Sequence, residues 1–248
     1  MSTGAQPATA ALPAATGAAL PAAAGALPAT ASPTVGASRT GGASRTGGAP
    51  RTGGAPRSVG VIACGALALD VRRIAKRRGW PVEVRPLPAL LHNHPERIAP
   101  HVEAALVEAR RSHDRVAVAY ADCGTYGALD AVLSRCDVSR LAGAHCYDLF
   151  AREEVREALE EEPGTYFLTD FLARTFEHTV MRELGLDRHP ELRDEYFGHY
   201  RRVLWLGQRP TLGTKLAAER AAAALDLPLE IREVGDAGLE RALEALVG

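Results

Sequence analysis

The chain has 248 residues, of which 46% are hydrophobic and 24% charged, and its formal net charge is -1. That balance offers no basic surface for nucleic acid as a main partner. The absence of any apolar run of 18 residues excludes an ordinary membrane-spanning helix, and four widely spaced cysteines exclude a disulfide scaffold.

The averages conceal two different polymers. Residues 1–57 are almost wholly Ala, Gly, Pro, Thr and Ser, with four arginines (Arg39, Arg45, Arg51 and Arg57) and no acidic residue, so the remainder carries -5. Ala-Leu-Pro-Ala recurs at Ala11, Ala19 and Ala26, and Ala-(Ser/Pro)-Arg-Thr-Gly-Gly recurs at Ala37, Ala43 and Ala49. Such a chain cannot bury enough apolar surface to offset backbone ordering at about 1–2 kcal/mol per residue, which predicts a disordered tail. Proline and threonine interrupt every apolar stretch of the tail, so no secretory signal is read there and the expected location is the cytoplasm, with reduced cysteines. Residues 58–248 suffice for a single α/β domain.

That domain opens with SVGVIACG, a buried strand ending at Cys64-Gly65. A helix follows, with Leu67, Val71 and Ile74 on one face, and Gly79 stops it. VEVRPLP reads as a second strand, which leads into the loop Leu91-His92-Asn93-His94-Pro95. RIAPHVEAALVEARRSH is a helix, with His94 at its N-cap and Pro95 at its first position. RVAVAYADCGTYG is a strand buried on both faces that hands over to the helix ALDAVLSR, with Cys123 at the junction. RLAGAHCYDLF is read as a fourth strand carrying Cys146, and AREEVREALEEE as an acidic helix. TYFLTDFL is strand or loop, and a charged helical stretch from Ala173 to about Tyr200 is broken near Gly185 and Pro190. RRVLWLG, KLAAERAAAALD, LPLEIREVG and LERALEALV close the chain as strand, helix, strand, helix. Regular β/α alternation predicts parallel strands joined by crossovers, hence a doubly wound, mainly parallel, Rossmann-like sheet.

Cys64, Cys123 and Cys146 all fall at strand ends, which a parallel sheet gathers on its C-terminal edge, where ligands bind. Three thiolates there suit a zinc ion or an iron-sulfur cluster; as plain residues they would be small buried hydrophobes. Cys136, behind a helix, has no such placement. His92 is the candidate fourth ligand or acid/base group. His145 adjoins Cys146 and so points to the opposite face of a regular strand, where it serves as a hydrogen-bonded histidine or in proton transfer. Gly124 and Gly127 let the backbone approach an anion at a helix N-terminus, so a small anionic-ligand-binding module with structural cysteines is the alternative function. Tyr126, Tyr147 and Tyr166 are candidates to close over the site. Self-association is left open.

The order of VIACG, LPALLHNHPERI, VAYADCG, GAHCYDLF and PGTYFLTDF resembles the domain-of-unknown-function family DUF1638, found in bacteria and methane-producing archaea, over roughly Val59 to Gly248. The matching positions are Cys64, His92, Cys123 with Gly124, His145 with Cys146, and Pro163 to Tyr166. The sequence departs from that pattern in having Tyr120-Ala121-Asp122 where a Tyr-Gly-x is usual, and His145 directly against Cys146. The resemblance implies that the three cysteines act together, and it implies a link to one-carbon or methylamine metabolism.

Overall fold

The computed structural model describes residues 58–248; the tail expected to be disordered, residues 1–57, lies outside them. Among the described residues six strands form, all paired in parallel, as the β/α alternation predicts. They are divided between two three-stranded sheets. In the first, β1 (Val59–Ala63) lies between β2 (Val82–Pro86) and β3 (Arg115–Ala119); in the second, β5 (Arg202–Gly207) lies between β4 (Thr165–Thr169) and β6 (Leu229–Glu233). The helices are α1 (Ala68–Arg78), α2 (Ile98–Ala109), α3 (Ala128–Cys136), α4 (Asp148–Glu161), α5 (Asp170–Phe176), α6 (Arg193–Phe197), α7 (Leu212–Leu225) and α8 (Ala237–Val247).

The two sheets share a core through the period-2 alternation of the second. Phe167, Leu204 and Leu206 point into the cluster built around β1, α1 and α2, whereas Tyr166, Leu168, Val203 and Trp205 point into a smaller cluster with α5 and α7. Both faces of β4 and β5 are thereby buried, which accounts for their unbroken apolar runs. The closing helix α8 returns to the first half. Leu239 and Leu243 enter the larger core, and Asp236 just before the helix pairs with Arg73 and Arg77 of α1 at 3.0 Å each.

One predicted strand is not a strand. Residues 140–147 make only an isolated parallel bridge, Arg140 to Val118, and residues 148–150 already belong to α4. The chain still runs beside β3: the Val118 amide donates to Ser139, the Leu141 amide to Val118, the Asp122 amide to Gly143 and the Cys123 amide to Ala144, at 2.7–3.2 Å. The Asp148 carboxylate ends this course by accepting from the amides of Ala144 (3.1 Å) and His145 (2.8 Å), turning the chain into α4. The stretch read as one helix from Ala173 to Tyr200 is interrupted at Gly185 and Pro190 as expected, and its first part continues α5 as a π-helical turn, Glu177–Arg182.

Candidate functional site

Cys64 follows β1 directly. Its amide donates to the Ala119 carbonyl at 3.0 Å, and its carbonyl accepts from the Leu67 and Ala68 amides, so the thiol is fixed where the central strand becomes α1. The next residue must be glycine: a Cβ on Gly65 would stand 2.5 Å from the Leu87 carbonyl oxygen and 2.7 Å from the Ala89 nitrogen. The chain leaving β2 crosses here, and the 3-10 turn Ala89–Asn93 brings His92 to the same edge.

Beyond β3 the backbone turns left-handed at Cys123 (φ 49°), Gly124 (φ 82°), Tyr126 (φ 49°) and Gly127 (φ 86°). For cysteine and tyrosine that geometry costs about 1 kcal/mol or more each. Asp122 holds the turn, accepting from Thr125 Oγ1 (2.7 Å), the Tyr126 amide (3.1 Å) and the Gly127 amide (3.2 Å). Against the cost of burial, the Thr125 bond and the two amides keep the Asp122 carboxyl below its ordinary value of 3.8. The amides of Tyr126 and Gly127 are thus directed at a carboxylate of the chain itself. Tyr126 does not close over anything; it is 89% exposed, since the left-handed turn swings its ring outward.

Cys146 occupies the turn that opens α4, and its thiol meets that of Cys123. Their interaction with each other drives the two thiols apart in acidity: Cys123 is pushed up and Cys146 is brought down. Burial, followed by the charge on Cys146, pushes Cys64 up to about 12. Cys64, Cys123 and Cys146 thus influence one another's acidity, and Cys146 arrives by a turn and not at the strand end that the sequence suggests. Among the described residues no three His, Cys, Asp or Glu side chains are grouped so as to hold a metal ion. The donors are chemically soft, but they are not a preassembled set of three ligands.

Cys64, Cys146, His92 and Tyr147 face Tyr166, Phe167 and Phe171 across a cavity with about 80 Å³ of space open to the centre of a water molecule. This is room for a molecule of a few heavy atoms. No Asp, Glu, Lys or Arg lines it. The Tyr147 ring stacks between His145 (4.9 Å, 9°) and Phe167 (4.9 Å, 22°), joining the thiol turn to the second sheet. His92 and His145 come within electrostatic range of each other. Burial, then repulsion from His145, lowers the His92 pKa; burial lowers that of His145 against the pull of Asp148 and Asp122. Both imidazoles are neutral at neutral pH.

Two hydroxyls at the site stand out, one on Tyr147, which the sequence already singles out, and one on Tyr120, which it does not. The hydroxyls of Tyr120 and Tyr147 are buried and make no hydrogen bond among the described residues. Tyr120 stands beside Cys64 and couples to it electrostatically without a well-formed bond, and burial followed by that thiol raises its own pKa. Tyr120 belongs to a run legible only as strand, and Tyr147 to a run misread as one.

The chain matches the family described as protein of unknown function (DUF1638) over residues 86–243. It belongs to that family. The DUF1638 match takes in His92, Cys123, Gly124, Gly127, His145 and Cys146, while β1, Cys64 and α1 precede it. Comparison with curated proteins and with solved structures gives no match. No helix among the described residues is long and apolar enough to cross a membrane.

Proposed function

We propose that the cavity is the site of a thiolate-dependent reaction or capture of a small, uncharged, largely apolar molecule with a soft electrophilic centre. Cys146 supplies the sulfur and Cys123 holds the shared proton. The carrying observation is Cys146 at the cavity wall with its acidity raised by Cys123 behind it, because a neighbouring thiol that donates to the sulfur is a means by which a buried thiol is kept ionised. The neutral imidazoles of His92 and His145 serve as proton acceptors when the pair ionises. Aromatic walls without a formal charge select against ions and carboxylates. A place in one-carbon or methylamine metabolism would give the molecule a methyl group as its reacting carbon. Reduced thiols of this kind belong in the cytoplasm.

Alkylation kinetics test the reading. Iodoacetamide should modify Cys146 faster than an ordinary buried thiol at pH 7, and Cys123→Ala should remove that advantage. Equal rates in the two proteins would refute it.

The second reading is that Cys64, Cys123 and Cys146 hold a zinc ion or an iron-sulfur cluster, with the same cavity as the substrate's approach. Two unpartnered tyrosine hydroxyls beside the thiols favour it, since buried polar groups are normally satisfied. The thiols would have to deprotonate to ligate, which couples metal uptake to proton release. Anaerobic purification with metal analysis and a visible spectrum decides it, a metal-free and colourless protein counting against it.

A further inference from the structure

A second concavity lies on the other side of α5. It is lined by Arg73 of α1, Arg174 of α5, Arg209 of the β5–α7 loop and Arg220 of α7, with Thr211 and Gly213 at the start of α7. Its volume is about 570 Å³, against about 80 Å³ for the thiol cavity, so it takes a larger molecule.

Its positive charge is largely uncompensated. Arg73 is paired with Asp70 (2.5 Å) and Asp236 (3.0 Å). The side chains of Arg174, Arg209 and Arg220 make no ion pair or hydrogen bond among the described residues, and all three are exposed. Asp170, the other carboxylate of the lining, makes no ion pair with them among the described residues, so four arginines face two aspartates. It is 4% exposed and its oxygens accept from Trp205 Nε1 (3.0 Å) and from the amides of Gln208 (3.3 Å) and Arg209 (2.8 Å). Those bonds fix the β5–α7 loop and so fix the position of Arg209.

The same loop presents the N-terminus of a 14-residue helix. Thr211 Oγ1 satisfies the Thr214 amide at 3.1 Å and the Thr211 carbonyl the Lys215 amide at 2.9 Å, which leaves the amides of Leu212 and Gly213 without an acceptor among the described residues. The helix end is open: a Cβ on Gly213 would meet only Thr211 Oγ1, at 3.8 Å. Leu69, which lines the groove, is 66% exposed, and Leu212, between the lining residues Thr211 and Gly213, is 74% exposed.

We propose that this groove binds a small phosphate ester, the phosphate held by Arg174, Arg209, Arg220 and the first amides of α7, and the ester group lying on Leu69 and Leu212. Fork-shaped guanidinium donors and free helix amides suit phosphate oxygens, and the exposed leucines give the organic part a surface that an inorganic ion would not use. The groove and the thiol cavity share α5 as a wall, but this assignment is independent of the chemistry proposed for the cysteines.

The test is titration of the full chain with phenyl phosphate and with inorganic phosphate, by calorimetry and thermal shift, with ionic strength held constant by sodium chloride. Both probes should bind and raise the melting temperature, phenyl phosphate more tightly. Arg209→Gln with Arg220→Gln should weaken both by about tenfold or more, and Arg174→Gln, on the opposite wall, should weaken both as well. Because these side chains are exposed, the variants should melt like the wild type without ligand. Binding that is absent, or unchanged in folded variants, would overturn the site. Equal affinities for the two probes would overturn the ester assignment, as would binding of poly-glutamate in the absence of phosphate binding.

Discussion

Asn93 Nδ2 donates to the Thr179 carbonyl at 3.0 Å, tying the turn after β2 to the π-helical turn after α5. The two residues come from opposite halves of the chain, and both line the thiol cavity. A π-turn leaves carbonyls displaced from the regular ladder, and here one of them is used as the anchor for the first half. Asn93→Ala should therefore lower stability by about 1 kcal/mol, the usual net worth of one such bond, and loosen the cavity wall. Urea unfolding would show the first effect and faster labelling of Cys146 by a bulky maleimide the second; unchanged labelling would mean that the wall does not depend on this bond.

The histidines set the acid limb of stability. Burial first, and in His92 the neighbouring His145 next, lower both imidazoles from the ordinary 6.5, so the folded protein binds fewer protons than the unfolded chain as pH falls. The sign follows: the stability held above pH 6.5 is lost on acidification from that point down to the folded-state values. His92→Gln and His145→Gln should each flatten the fall in melting temperature between about pH 6.5 and 5. A melting temperature with the same slope in wild type and variants would show that other groups carry the acid limb.

How much of this was legible beforehand differs from element to element. β1, β2, β3, β5 and β6 were readable because each is a short apolar or alternating run closed by a turn or a helix start, and Gly79 marked the end of α1 by its left-handed geometry. Residues 140–150 mislead because Leu141, Ala142, Ala144, Cys146 and Tyr147 look like a buried strand, while the controlling signal is the turn held by Asp148, whose bonds from the Ala144 and His145 amides only the fold displays. An approach of Cys64 and Cys123 could be argued from strand ends alone. The opposed acidities of Cys123 and Cys146 could not, because they depend on where a turn places one sulfur. Nor could the division into two sheets, since it depends on where backbone pairing stops, and hydrophobic periodicity is blind to that.

Tyr120 is 1% exposed and its hydroxyl has no partner among the described residues. An unsatisfied buried hydroxyl costs about 1–3 kcal/mol, so Tyr120→Phe should leave the metal-free, ligand-free protein as stable as the wild type or more so, by about 1 kcal/mol. If a bound group engages that hydroxyl, the same variant should bind the group more weakly while being the more stable scaffold. Parallel denaturation and binding measurements separate the two effects, and a clear loss of stability in the bare protein would show that the hydroxyl is satisfied after all.

The thiols govern the alkaline limb, two of them acting in one sense and the third in the other. Cys64 is raised from the ordinary 9.0 to about 12 by burial and by the charge on Cys146, and Cys123 is raised by its bond to Cys146. In the unfolded chain both ionise near 9, so folding keeps protons that unfolding releases, and stability present below that pH is lost as pH climbs towards 12. Cys146 is shifted down, so its contribution lies above its folded-state value and fades on acidification. Cys64→Ala should make the melting temperature less sensitive to pH between 9 and 12, whereas Cys123→Ala should do so and also return the Cys146 labelling midpoint towards 9.0. The paired readout matters because a merely structural Cys123 would alter stability without moving the midpoint; a midpoint that stays put in Cys123→Ala would end the account of a shared proton.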